Sequence, residues 1–103
     1  MLCFTKSKVN LGLRILRKRP DGYHDIESVF IPINWNDAIE IIHHEKNSKT
    51  SFHFYGINIP GIYENHNLKK VINLLGIQYD IQIPPSEIHV LKNIPAGAGV
   101  GGG

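Results

Sequence analysis

The chain has 103 residues, 42% of them apolar, enough for one modest domain and too few for a second core. Lysine and arginine number 11 against 9 acidic residues, giving a formal charge of +2 and an isoelectric point near 8.8. So even a balance excludes a general nucleic-acid coat, and any affinity for anions must be local. The single cysteine, Cys3, cannot close an internal disulfide, which fits a reducing compartment and makes the cytoplasm the expected location. Lys6 and Lys8 fall where a signal peptide carries its apolar stretch, and no run approaches the roughly 18 apolar residues of a membrane span. Neither secretion nor membrane insertion is expected.

From Val9 the apolar residues alternate through Leu11, Leu13 and Ile15, the period of a half-buried strand. Arg17, Lys18, Arg19, Pro20, Asp21 and Gly22 interrupt that period, and Asp-Gly between two strand-like runs signals a hairpin. The second run covers 24–33; without a bulge, His24, Ile26, Ser28 and Phe30 face one side and Val29, Ile31 and Ile33 the other. Residues 38–43 and 51–55 read as two further strands joined by a polar connection over 45–49, followed by a loop over 56–64. Leu68, Val71, Ile72 and Leu75 recur at helical spacing, with Asn65 or Asn67 available to cap the start and Gly76 to close the end. Beyond Pro84 and Pro85, Ile88, Val90 and Lys92 alternate with His89, Leu91 and Asn93, so a last strand leads into Pro95.

That strand runs into Pro95-Ala96-Gly97-Ala98-Gly99-Val100-Gly101-Gly102-Gly103. Glycines lack Cβ, so successive N–H groups can turn toward one anion and approach it closely. The run lacks the Gly-Lys-Ser/Thr ending of a P-loop, and it sits too late in its unit for a dinucleotide fingerprint. Taken alone it is equally a flexible glycine linker.

The stretch Lys92-x-x-Pro95 followed by Gly-x-Gly-x-Gly-Gly-Gly is similar to the phosphate loop of the GHMP kinases, with Val100 in place of the commoner leucine. Lys8-Val9-Asn10-Leu11 and Arg19-Pro20-Asp21-Gly22-Tyr23-His24 resemble the diphosphocytidyl-methylerythritol kinase family within that superfamily. The resemblance implies an α+β fold, a mostly β layer packed on a helix, as in the GHMP amino-terminal domain, with 1–103 ending inside the glycine loop. It implies ATP and Mg²⁺ as cofactors, a small-molecule substrate with a cytidine diphosphate group, and transfer of the γ-phosphate to a 2-hydroxyl in non-mevalonate isoprenoid synthesis.

On the same resemblance Lys8 is catalytic, lying beside the hydroxyl and the moving phosphoryl group, a task that suits a cation on a rigid strand. Asn10, Tyr23, His24 and Phe30 would bind substrate, with Tyr23 stacked on cytosine, His24 on its hydrogen-bonding edge and Phe30 closing the wall. Asn67, Lys92 and the run Pro95, Ala96, Gly97, Ala98, Gly99, Val100, Gly101, Gly102 and Gly103 would bind ATP. The family's catalytic aspartate lies beyond Gly103, so the chain alone is expected not to turn over. Outside the resemblance, Lys8 and Lys92 are ordinary solvated strand lysines, Tyr23 and Phe30 core aromatics, and Asn67 a helix cap.

Two other readings compete. Arg14, Arg17, Lys18 and Arg19 beside Tyr23 would suit an RNA strand, although no basic surface continues through the chain. Six histidines invite a metal site, but adjacent His43 and His44 point to opposite faces of a strand, and no Cys-x-x-Cys or His-x-x-x-His element accompanies them or His53, so these histidines are expected to be solvated rather than metal-bound.

Overall fold

The computed structural model describes residues 1–43, 49–58 and 67–101. Strand β1 spans Leu2–Lys18, β2 His24–His43 and β3 Ser51–Gly56; helix α1 covers Asn67–Tyr79, and β4 covers Ser86–Lys92. The four strands form one mixed sheet in the order β1-β2-β4-β3. Contacts β1/β2 and β2/β4 are antiparallel and β3/β4 is parallel. A parallel pair needs a crossover rather than a hairpin, and α1 lies within that connection.

Local chemistry makes the β1–β2 turn. Pro20 sits at the second position of a four-residue turn closed by a 3.1 Å bond from Gly22 N–H to the Arg19 carbonyl, and Gly22 takes φ +87°. Arg19 N–H then donates to the Tyr23 carbonyl at 2.7 Å, and Asp21 Oδ1 accepts from Tyr23 N–H at 3.1 Å. The ribbon is longer than the alternation from Val9 suggests, because an edge strand tolerates the polar residues Thr5 to Lys8. Likewise 24–33 and 38–43 are one strand rather than two. The register shift opposite Lys6 and Ser7 leaves Asn34 and Trp35 unpaired as a bulge, so β2 bends without ending.

The core is small and centres on β4. Ile88, Val90 and Ile94 are buried. Ile88 lies opposite Ile41 and Phe52, and Val90 opposite Ile39 and Phe54, so three strands contribute one apolar stripe. Helix α1 covers this face, with Leu68 and Val71 lining a recess shared with Ile39 and Val90, and Lys69 placed 5.2 Å from the centre of the Phe52 ring. Of the four residues at helical spacing, Leu68 and Ile72 are half-buried while Val71 and Leu75 stay exposed. Gly76 does not close the helix, which continues to Tyr79. Asp80 adopts φ 49° and Ile81 N–H donates to the Gly76 carbonyl at 3.2 Å, a Schellman ending in which an aspartate takes the place usual for glycine. Gly56, expected to open a loop, is instead the last residue of β3. The 45–49 connection up to residue 48, Asn65 and most of the 56–64 loop lie outside the described residues.

Candidate nucleotide-phosphate site

Lys8 and Asn10 are two apart on β1 and share a face; Phe30 pairs with Asn10 across the ribbon. The Lys8 ammonium donates to Asn10 Oδ1 at 2.9 Å and stands 5.2 Å from the centre of the Phe30 ring. It also donates to the Gly99 carbonyl at 2.6 Å, while Lys8 N–H donates to the Val100 carbonyl at 2.9 Å. Because β1 is the outer strand, its outward-facing N–H groups are available to this segment. Two motifs 91 residues apart therefore meet at the sheet edge, with Gly101 against the aliphatic stem of Lys8.

The loop alternates in hand. Gly97, Gly99 and Gly101 take φ +76°, +74° and +86°, while Ala98 and Val100 stay at negative φ. Such alternation turns consecutive N–H groups to one side and makes an anion-binding concavity. A Cβ on Gly97 or Gly99 would meet nothing within 4 Å, so among the described residues the space beside these two glycines is open. Among the described residues the Lys8 ammonium uses two of its three donors, leaving the third for a phosphoryl oxygen.

A residue that the sequence reading did not single out holds the start of this loop. Asp37 is buried; its Oδ1 accepts from Asn93 N–H at 2.7 Å and Ile94 N–H at 2.8 Å, and its Oδ2 pairs with the Lys92 ammonium. The only sequence signal is a carboxylate opening an apolar strand, and its meaning depends on a pairing 55 residues away.

The remaining nominated residues fall in two places. Asn67, the first residue of α1, lines a recess of about 210 Å³ with Thr5, Leu68, Val71, Lys92 and Gly101, so the two residues outside the glycine run that were expected to bind ATP adjoin the loop. Lys92 itself is buried against Asp37. Tyr23 and His24 stand exposed at the far end of the ribbon, six strand positions from Phe30, about 20 Å at the usual rise. They do not join the Lys8 group. Gly102 and Gly103 lie outside the described residues.

The basic segment is locally neutralised. Arg17 pairs with Asp25 at 2.5 Å and Arg19 with Asp21 at 2.6 Å, and Arg14 reaches Glu27 at 4.0 Å. Those carboxylates compete with any phosphate backbone, which disfavours the RNA reading. Among the described residues no cluster of three or more His, Cys, Asp or Glu suits a metal, and His53 is stacked on His89 with 4.7 Å between ring centres; His44 lies outside them. No described helix is long and apolar enough to cross a membrane.

The mixed sheet with its helix matches the fold class of the amino-terminal domain of GHMP kinases. No protein-family model matches the chain. Within the class, the chain is similar along its whole length to proteins named 4-diphosphocytidyl-2-C-methyl-D-erythritol kinase. The relative from Parabacteroides distasonis is 48% identical over 103 residues, all of this chain and 36% of the relative. Those from Cytophaga hutchinsonii and Bacteroides thetaiotaomicron are 48% and 46% identical, again over the whole chain. A crystal structure of 4-(cytidine 5'-diphospho)-2C-methyl-D-erythritol kinase superposes with a TM-score of 0.68 at 30% identity, covering 99% of this chain and 35% of the other. The chain thus spans about a third of the length of the relatives it matches.

Proposed function

We propose that the chain supplies the acceptor-side lysine and part of the nucleotide loop of an ATP-dependent kinase acting on the 2-hydroxyl of 4-diphosphocytidyl-2-C-methyl-D-erythritol, a step of non-mevalonate isoprenoid synthesis in the cytoplasm. The observation that carries this reading is the pair of hydrogen bonds that Lys8 donates, from its ammonium to the Gly99 carbonyl and from its N–H to the Val100 carbonyl. Phosphoryl transfer is mostly positioning and charge neutralisation, and a cation fixed to a phosphate-shaped loop performs both.

ATP supplies the phosphoryl group, and the N–H groups of 97–101 together with Lys8 are the residues that hold its phosphates. Mg²⁺ usually binds through substrate phosphates and few carboxylates, so it asks little of this segment. The ribbon's tip presents Tyr23 for stacking on a pyrimidine and His24 for the base edge, while Lys8, Asn10 and Phe30 await the hydroxyl end about 20 Å away.

Isotope-labelled chain titrated with CDP, ATP and UTP tests the reading. Cytidine-selective shifts at Tyr23 and His24 and ATP-induced shifts over 97–101 are expected; a folded chain whose signals ignore both ligands would refute it. Lys8→Met keeps the apolar stem and removes the ammonium. In the kinase carrying this segment it is expected to slow phosphoryl transfer by about 10²–10³-fold, read as ADP release under saturating ATP. Unchanged turnover would remove Lys8 from the site.

A further inference from the structure

We propose that Asp37 is a positioning residue that sets the glycine loop from outside the nucleotide site. The loop has two moorings. At its far end, Gly99 and Val100 are held by Lys8. At its near end, one buried carboxylate oxygen takes the N–H groups of both Asn93 and Ile94, while the other takes the Lys92 ammonium. Ile94 is buried immediately beyond, so the stem can neither slide nor rotate without losing both bonds and its packing.

Asp37 belongs to β2, which also pairs with β1 and β4. The stem position is therefore referred to the strand that lies between Lys8 and the loop's origin. Lys92 acts on the loop through this clamp. Holding the stem fixes the direction in which the alternating N–H groups of 97–101 point. The consequence for phosphate rests on the proposed kinase reading; the consequence for loop order does not.

Two double variants separate positioning from bulk stability, because each removes the buried pair without leaving a lone charge. Asp37→Asn with Lys92→Met keeps an oxygen for the two stem N–H groups. Asp37→Leu with Lys92→Met removes it. Amide exchange at Lys8 reports the far mooring, and exchange at Val90 reports the sheet. The leucine variant is expected to speed Lys8 exchange about tenfold with Val90 unchanged, and the asparagine variant to leave both near the parent values. Lys8 exchange that is equal in the two variants, or that rises only in step with Val90, would overturn the proposal.

Titration of the same samples with Mg·ATP reads the functional half. The leucine variant is expected to bind about tenfold more weakly than the asparagine variant. Failure of the parent chain to bind ATP would count against the kinase reading alone and leave the exchange result standing.

Discussion

Gly56→Ala is expected to cost more than about 3 kcal/mol, or to prevent folding, read as the midpoint of urea or thermal unfolding. Gly56 ends β3 at φ +85°, and a Cβ there would lie 2.2 Å from the Lys92 carbonyl oxygen. That oxygen cannot retreat cheaply. It accepts Ile57 N–H at 2.8 Å, and its own residue is tied by its ammonium to Asp37. Gly12→Ala is the control: Gly12 also has positive φ, at +70°, but a Cβ there meets nothing within 4 Å. It should cost only about 1–2 kcal/mol, the backbone penalty by itself. Equal losses at the two positions would show that the close approach of β3 to Lys92 contributes nothing.

Lys92→Met should destabilise by about 3 kcal/mol, toward the low end for a broken buried pair, because the Asp37 carboxylate keeps its two backbone donors. The penalty is that of an anion left in a site with 5% of its surface exposed. The double variant Asp37→Asn with Lys92→Met should recover most of that stability, since it removes the lone charge while an amide oxygen still accepts from Asn93 and Ile94 N–H. Chemical denaturation of the single and double variants forms a cycle whose coupling energy isolates the pair. A single variant as stable as the parent would mean that the ammonium and carboxylate are solvated rather than buried.

The parts of this fold legible in the sequence are those fixed by neighbouring residues. Pro20-Asp21-Gly22 makes its turn from its own backbone preferences, and the glycines of 97–101 adopt the positive φ that only they adopt freely. The helix was legible from spacing, but its end was not. Gly76 looked like the stop because glycine is the usual C-terminal residue, whereas the stop is Asp80, a residue that tolerates the left-handed region less often. The bulge at Asn34 and Trp35 was hidden because β2 resumes its alternation afterwards.

In the candidate site, Lys8 and the glycine loop were each visible as motifs, yet their meeting depends on chain path. Nothing local says that the last strand runs beside β2 and delivers its loop to the outer edge of β1. Asp37 was illegible for the same reason, since its three partners lie more than fifty residues away. Residues whose role is set by register rather than by type escape a sequence reading.

The place of β4 in the sheet also governs the order in which the molecule assembles. The β1–β2 ribbon closes over a short turn and can form early, because little chain entropy is lost in closing it. β3 has no such route: among the described residues its sheet partner is β4, which follows both β3 and α1 in the chain. Strand β4 must therefore insert between two elements already synthesised, the slow, non-local step of this topology. The same insertion brings Asn93 and Ile94 to Asp37 and lays 99–100 against Lys8. Closing the sheet and shaping the glycine loop thus fall in one step, and a ribosome-bound chain that has not yet emitted β4 carries Lys8 without the loop it holds.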